Sequence, residues 1–305
     1  MKVYKSEKAE QRIIQTYDRL LTLWDVAVKE TDISTAYGTT HMIECGKDGA
    51  PPLVLFHGVG DDSALMWIFN AKALAEQFHL YAVDTIGGPG KSRPNEQYFK
   101  SFDEIKWLDE VLDMLKLELV YLAGVSNGAY ITQHYGIMRP DRVTKMICMS
   151  GSAVAAGDSK SPLRRMLKVF LPEALFPTDK NIIKLIKKLT GKNYRKFTEN
   201  ADIMAHYTQL IRGFNNMAMT CHKIESFSEE QVLSMQGKAL FLCGEADPLG
   251  DMETVKAILT KYKLDYRFFP EAGHGINHEL SEEINRIMIE YLNEGSKADL
   301  NTALL

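Results

Sequence analysis

Apolar positions follow two alternating rhythms from about Met42 to Cys148. Short unbroken runs end at glycine, and longer stretches repeat an apolar residue every three or four positions. Leu53-Val54-Leu55-Phe56 runs into His57-Gly58-Val59-Gly60, which reads as a strand entering a glycine turn. Ser63 to Gln77 has helical spacing and predicts one helix. Leu80-Tyr81-Ala82-Val83 is a second strand, closed by Asp84 and the loop Gly87-Gly88-Pro89-Gly90. Ile105, Leu108, Val111, Leu112 and Leu115 make one stripe on a helix from Ser101 to Lys116. Val120-Tyr121-Leu122-Ala123, a helix from about Asn127 and a strand at Met146-Ile147-Cys148-Met149 continue the series. Strands that alternate with helices predict an α/β fold, with a mostly parallel sheet joined by right-handed crossovers.

The rhythm stops between about Gly157 and Glu225, where helical runs such as Ile182 to Leu189 and Ala201 to Phe214 have no strand between them. It resumes with a strand at Ala239 to Cys243, a helix near Met252 to Tyr262, a strand at Tyr266 to Phe269 and a last helix from about Glu279 to Leu292. The expected organisation is one α/β core, residues 1–156 and 225–305, interrupted by an inserted helical cap at 157–224. The cap is locally basic: residues 158–196 hold 11 Lys or Arg against three acids.

Composition narrows the field. With 305 residues, 45% hydrophobic and 25% charged, the chain is an ordinary globular protein and not a disordered one. A net charge of −4 gives no chain-wide basic bias towards nucleic acid. Apolar runs are only a few residues long, against the ~20 that span a bilayer, so no membrane association is expected. Lys2, Lys5, Glu7 and Lys8 precede no apolar leader, and the four scattered cysteines (Cys45, Cys148, Cys221, Cys243) form no CxxC pair. Reduced thiols in a cytoplasmic protein are the expectation.

The candidate chemistry begins at Gly124-Val125-Ser126-Asn127-Gly128, a GxSxG between an apolar strand and a helix. A sharp strand-to-helix turn presents the Ser126 hydroxyl as a nucleophile, and the Asn127 N–H lies at a helix N-terminus, where an oxyanion donor is needed. A serine needs a base, and the base needs an orienting carboxylate. Asp247, in the loop after the late strand, fits the acid, with Glu245 and Asp251 as rivals that could merely cap the next helix. His274, in Gly273-His274-Gly275, fits the base; His278 reads as the start of the final helix and His57 as a brace for its own loop. The backbone N–H of Val59 fits the second oxyanion donor.

Taken together, the His57-Gly58 turn, the Asp84 to Ser92 loop, the Gly124–Gly128 elbow, Asp247 and the Gly273-His274 loop resemble the α/β-hydrolase superfamily over about residues 40–295. Within it the chain resembles bacterial serine carboxylesterases of the carboxylesterase NP type. The loop after Asp84 departs from the common form by one added residue. The resemblance implies hydrolysis of small-molecule carboxylic esters through an acyl-enzyme. A carbon–carbon bond hydrolase, a thioesterase, or a ligand-binding regulator on the same scaffold remain alternatives. Met166, Phe170 and Leu171 of the cap are candidate walls of an acyl pocket, and the cap's basic excess would favour anionic esters. Gly90-Lys91-Ser92 lacks the first glycine of a phosphate-binding loop, since residue 85 is Thr, and no GxGxxG opens a helix. Neither cofactor nor metal is expected. The oligomeric state is not readable from these residues.

Overall fold

The computed structural model describes residues 1–152 and 162–294, apart from the side chains of residues 162–164, 172 and 174. An amphipathic helix α1 (Glu7–Leu21), capped by the Ser6 hydroxyl, precedes an antiparallel hairpin of β1 (Val28–Thr35) and β2 (Gly38–Cys45). Then come β3 (Pro52–Phe56), the short helices α2 (Ser63–Met66) and α3 (Ala71–Ala75), and β4 (His79–Val83). A two-residue strand β5 (Arg93–Pro94) pairs with β2 and leads to α4 (Glu96–Lys100) and α5 (Glu104–Met114). Strand β6 (Val120–Val125), helix α6 (Asn127–Met138) and β7 (Val143–Met149) follow.

After β7 the described residues form α7 (Pro162–Leu175), α8 (Asp179–Leu189), α9 (Arg195–Thr198), α10 (Ala201–Gly213), a 3-10 turn at Asn216–Cys221 and α11 (Glu229–Leu233). The core resumes with β8 (Ala239–Gly244), α12 (Met252–Lys261), β9 (Asp265–Phe269), α13 (Ile276–Glu279) and α14 (Ser281–Asn293). The sheet runs β1-β2-β4-β3-β6-β7-β8-β9, with every pair from β4 to β9 parallel. The α/β alternation in the sequence predicts this architecture. Loops at the C-terminal ends of β3, β6, β8 and β9 therefore open on one edge, where open parallel sheets gather their ligand-facing groups.

One expectation changes. The single helix over Ser63–Gln77 is two short ones, because Asn70 between them is buried and held sideways, its amide donating to Asn285 Oδ1 at 2.7 Å and to Asn277 O at 3.2 Å. The last helix, expected from about Glu279 to Leu292, is α14, and the short α13 precedes it. The N-terminus is also stitched to the helical segment. Lys5 N–H donates to Gly213 O at 2.9 Å and Asn215 N–H to Val3 O at 2.9 Å, while α1 packs on α10. No helix among the described residues is long and apolar enough to cross a membrane.

Candidate active site

Ser126 ends β6 with φ 58° and ψ −116°, a left-handed backbone that side chains rarely adopt. The conformation is enforced from both sides. A Cβ on Gly124 would overlap Gly128 O, and one on Gly128 would overlap Phe56 O, so only glycines let the turn close. Ser126 N–H donates to Met149 O at 2.9 Å, tying the turn to β7, and Ser126 O accepts from Ala129 N–H at 3.0 Å to start α6. The side chain is left half-exposed at the sheet edge.

Asp247 follows β8 and is buried, with Oδ1 accepting from Leu249 N–H at 2.8 Å. Its Oδ2 lies 2.7 Å from Nδ1 of His274, which follows β9. Burial disfavours the imidazolium of His274, but the charge and hydrogen bond of Asp247, aided by Asp61 and Glu279, outweigh it and hold the pKa above the ordinary 6.5. Among the described residues neither the Ser126 hydroxyl nor His274 Nε2 is hydrogen-bonded. Such bonds often tighten only once substrate is bound.

The turn expected to supply the oxyanion donor lies against the serine, since a Cβ on Gly58 would stand 3.4 Å from Ser126 Cβ. No backbone or side-chain acceptor among the described residues engages the N–H of Val59 or of Asn127. Both donors are unspent at the two positions the sequence suggests for them.

The rival residues have other duties. His57 donates from Nδ1 to Gly58 O at 2.7 Å and accepts at Nε2 from Thr85 N–H at 2.8 Å, so its ring ties its own loop to the loop after β4, and burial keeps it neutral. His278 is buried, bonded through Nε2 to Met66 O at 2.7 Å, and burial pushes its pKa down to about 4. Asp251 caps α12 and pairs with Arg165 at 2.9 Å, while the Glu245 side chain is exposed. On α7, Met166 and Leu171 are exposed and Phe170 is half-buried. The cap's cations largely meet acids: Lys184 at 3.1 Å and Lys188 at 2.6 Å share the buried Glu173, and Arg212 meets Asp179 at 2.7 Å.

Several residues absent from the sequence reading shape the site. Glu279 is buried and accepts from Gly273 N–H at 2.9 Å and Gly191 N–H at 2.7 Å, clamping the His274 loop to the end of α8. His274 N–H donates to Leu189 O at 2.6 Å, and Ser150 Oγ–H donates to His274 O at 2.6 Å. Apart from the Gly273–Glu279 bond, six residues apart, these bonds join residues 85 to 124 positions apart, so no local pattern marks them. Asp61, two residues after Val59, also lies within electrostatic reach of His274. No group of three or more His, Cys, Asp or Glu among the described residues is arranged to hold a metal ion.

A family described as alpha/beta hydrolase fold matches residues 51–279. Carboxylesterase YbfK of Bacillus subtilis (strain 168) is 27% identical over 302 residues, covering 94% of this chain and 95% of that protein. The uncharacterized carboxylesterase nap of the same organism is 38% identical over 139 residues, 46% of each chain. Among solved structures, naproxen esterase (carboxylesterase NP) from Bacillus subtilis is similar in fold, with a TM-score of 0.80 at 24% identity over 95% of this chain and all of that one.

Proposed function

The chain belongs to the alpha/beta hydrolase fold family, and from that premise we propose that it is a serine carboxylesterase acting on small-molecule esters through Ser126, His274 and Asp247. The observation that carries the reading is the 2.7 Å Asp247–His274 hydrogen bond on the same sheet edge as a serine held at φ 58°. The resemblance to carboxylesterase YbfK along nearly the whole chain supports an ester as substrate.

In this mechanism neutral His274 takes the Ser126 proton as the hydroxyl attacks the ester carbonyl. The N–H groups of Val59 and Asn127 receive the developing oxyanion, each such donor being worth about 3 kcal/mol. The imidazolium, steadied by Asp247, protonates the leaving alcohol. The acyl-enzyme is then hydrolysed by water activated at the same histidine. The described cap helices are the candidate roof of the acyl group; of the three side chains expected to wall it, Phe170 is half-buried, whereas Met166 and Leu171 are exposed.

Replacement of the nucleophile tests the reading. Ser126→Ala is expected to lose nitrophenyl-ester hydrolysis by ~10⁴-fold or more while its circular dichroism is unchanged, the usual size for a triad knockout. A fluorophosphonate probe is expected to label Ser126 in the parent protein. Near-parental turnover by the folded variant, or labelling of a different serine, overturns the assignment.

A further inference from the structure

Asp61 and Asp62 follow the oxyanion turn side by side and meet different fates. Asp62 is fully buried and spent, with Oδ1 accepting from Leu65 N–H at 3.1 Å and Oδ2 lying 2.7 Å from His206 Nε2. Asp61 is half-buried, and among the described residues no hydrogen bond or ion pair engages its carboxylate. Its backbone N–H closes the turn onto Gly58 O at 3.4 Å, which fixes the residue against the oxyanion loop.

The ionisable groups around it come from three elements: Asp62 of its own turn, His206 and Tyr207 of α10, and His274 of the loop after β9. What geometry fixes is the turn itself: Asp61 is tied by its N–H to Gly58, which lies against the Ser126 Cβ. Burial and the Asp62 charge push its pKa up to about 7, against the pull of His274 and His206. The Asp61 oxygens reach solvent and have no protein donor among the described residues, so a cation or N–H donor on a bound substrate can pair with them, and that pairing is gained in kcat/KM if it persists into the transition state. Four of the cap's cations are engaged elsewhere, Lys184 and Lys188 by Glu173, Arg165 by Asp251 and Lys192 by Glu271.

We propose that Asp61 is a specificity-determining residue that selects esters carrying a cationic or N–H-donating group, such as choline-type and amino-alcohol esters, by pairing directly with that group. The proposal rests on the ester-hydrolase reading. It also reverses the substrate charge expected from the basic cap alone, because a charge without a protein partner on the turn over Ser126 is screened less than cap charges engaged by acids.

The test compares acetylcholine with its neutral isostere 3,3-dimethylbutyl acetate, using the full chain at low ionic strength between roughly pH 6 and pH 9. Both esters need the same neutral His274, so its titration cancels in the ratio of their kcat/KM values. The ratio is expected to favour the cation by about five- to tenfold at high pH, the order of a modest ion pair, and to fall as pH drops through Asp61's titration. Asp61→Asn is expected to bring the ratio near one and make it flat with pH. The wild-type pH dependence stands as a second test should that variant fold poorly. A wild-type ratio that is flat and near one, or a preference that survives in Asp61→Asn, overturns the proposal while leaving the esterase reading intact. Failure of the wild type to hydrolyse either ester, or nitrophenyl acetate, overturns both.

Discussion

Ser126 carries backbone strain of about 1–3 kcal/mol, the usual cost of a non-glycine residue in a sparsely populated region. Removing the hydroxyl alone does not relieve it, whereas removing Cβ does. Ser126→Gly is therefore expected to resist urea better than Ser126→Ala by about 1 kcal/mol, after allowing for glycine's greater unfolded entropy. Equal midpoints would mean that the elbow is unstrained. In the proposed mechanism His274 acts as a base only when neutral, and its pKa is held above 6.5 although burial alone would lower it, because the Asp247 carboxylate favours the imidazolium. The pH profile of kcat/KM is accordingly expected to rise through a midpoint above the ordinary histidine value. In Asp247→Asn that midpoint should move down while the plateau falls steeply, since the substitution removes the charge and disturbs the tautomer together. A midpoint that stays put in Asp247→Asn would show that another group sets it.

Elements explain why parts of this site can be read from sequence and others cannot. The turns after β6 and β9 are legible because close backbone approaches demand glycine, and Gly124, Gly128 and Gly273 stand beside the groups they position. The core strands from β3 to β8 are legible because two-sided burial leaves nearly unbroken apolar runs. The hairpin β1–β2 offers no such run, since β1 is an edge strand with alternating charged residues, Val28 to Thr35. The split between α2 and α3 depends on Asn70 meeting Asn277 and Asn285 more than two hundred residues away, and Glu279 finds Gly191 across 88 residues. Such partners exist only once the chain has folded. Glu279 also yields a prediction at this scale. Its carboxylate fixes two backbone N–H groups and touches no reacting atom, so Glu279→Ala should loosen the His274 loop. The expected result is a loss in kcat of about 10- to 100-fold, the size seen when outer-shell partners are removed, with a smaller change in KM. Loss confined to KM would assign Glu279 to substrate binding instead.

Across the whole molecule, the cap and the N-terminal helix are wired to the oxyanion turn through one buried cluster. Thr16 of α1 bonds His206 Nδ1 at 2.8 Å, His206 of α10 bonds Asp62 at 2.7 Å, and Asp62 caps α2 behind Val59 and Asp61. Both His206 and Asp62 are wholly excluded from solvent. Burial alone would raise the Asp62 pKa, yet the charge and hydrogen bond of His206 outweigh it and hold the carboxyl below its ordinary 3.8. A depressed folded-state pKa adds stability that is fully present above the unfolded value and is lost as pH falls through the folded one. Truncating one member of such a pair leaves the other buried and uncompensated, so Asp62→Ala is expected to cost about 3–5 kcal/mol in urea unfolding near neutral pH. The deficit should stay constant down to the ordinary carboxyl range and shrink only in stronger acid. The double variant His206→Ala/Asp62→Ala should lose less than the sum of the single ones, because the second truncation removes a charge that the first has already stranded. If the two losses simply add, or if the deficit is the same at every pH, the pair does not bind the cap to the oxyanion turn, and the contacts of α1 with α10 must carry that coupling instead.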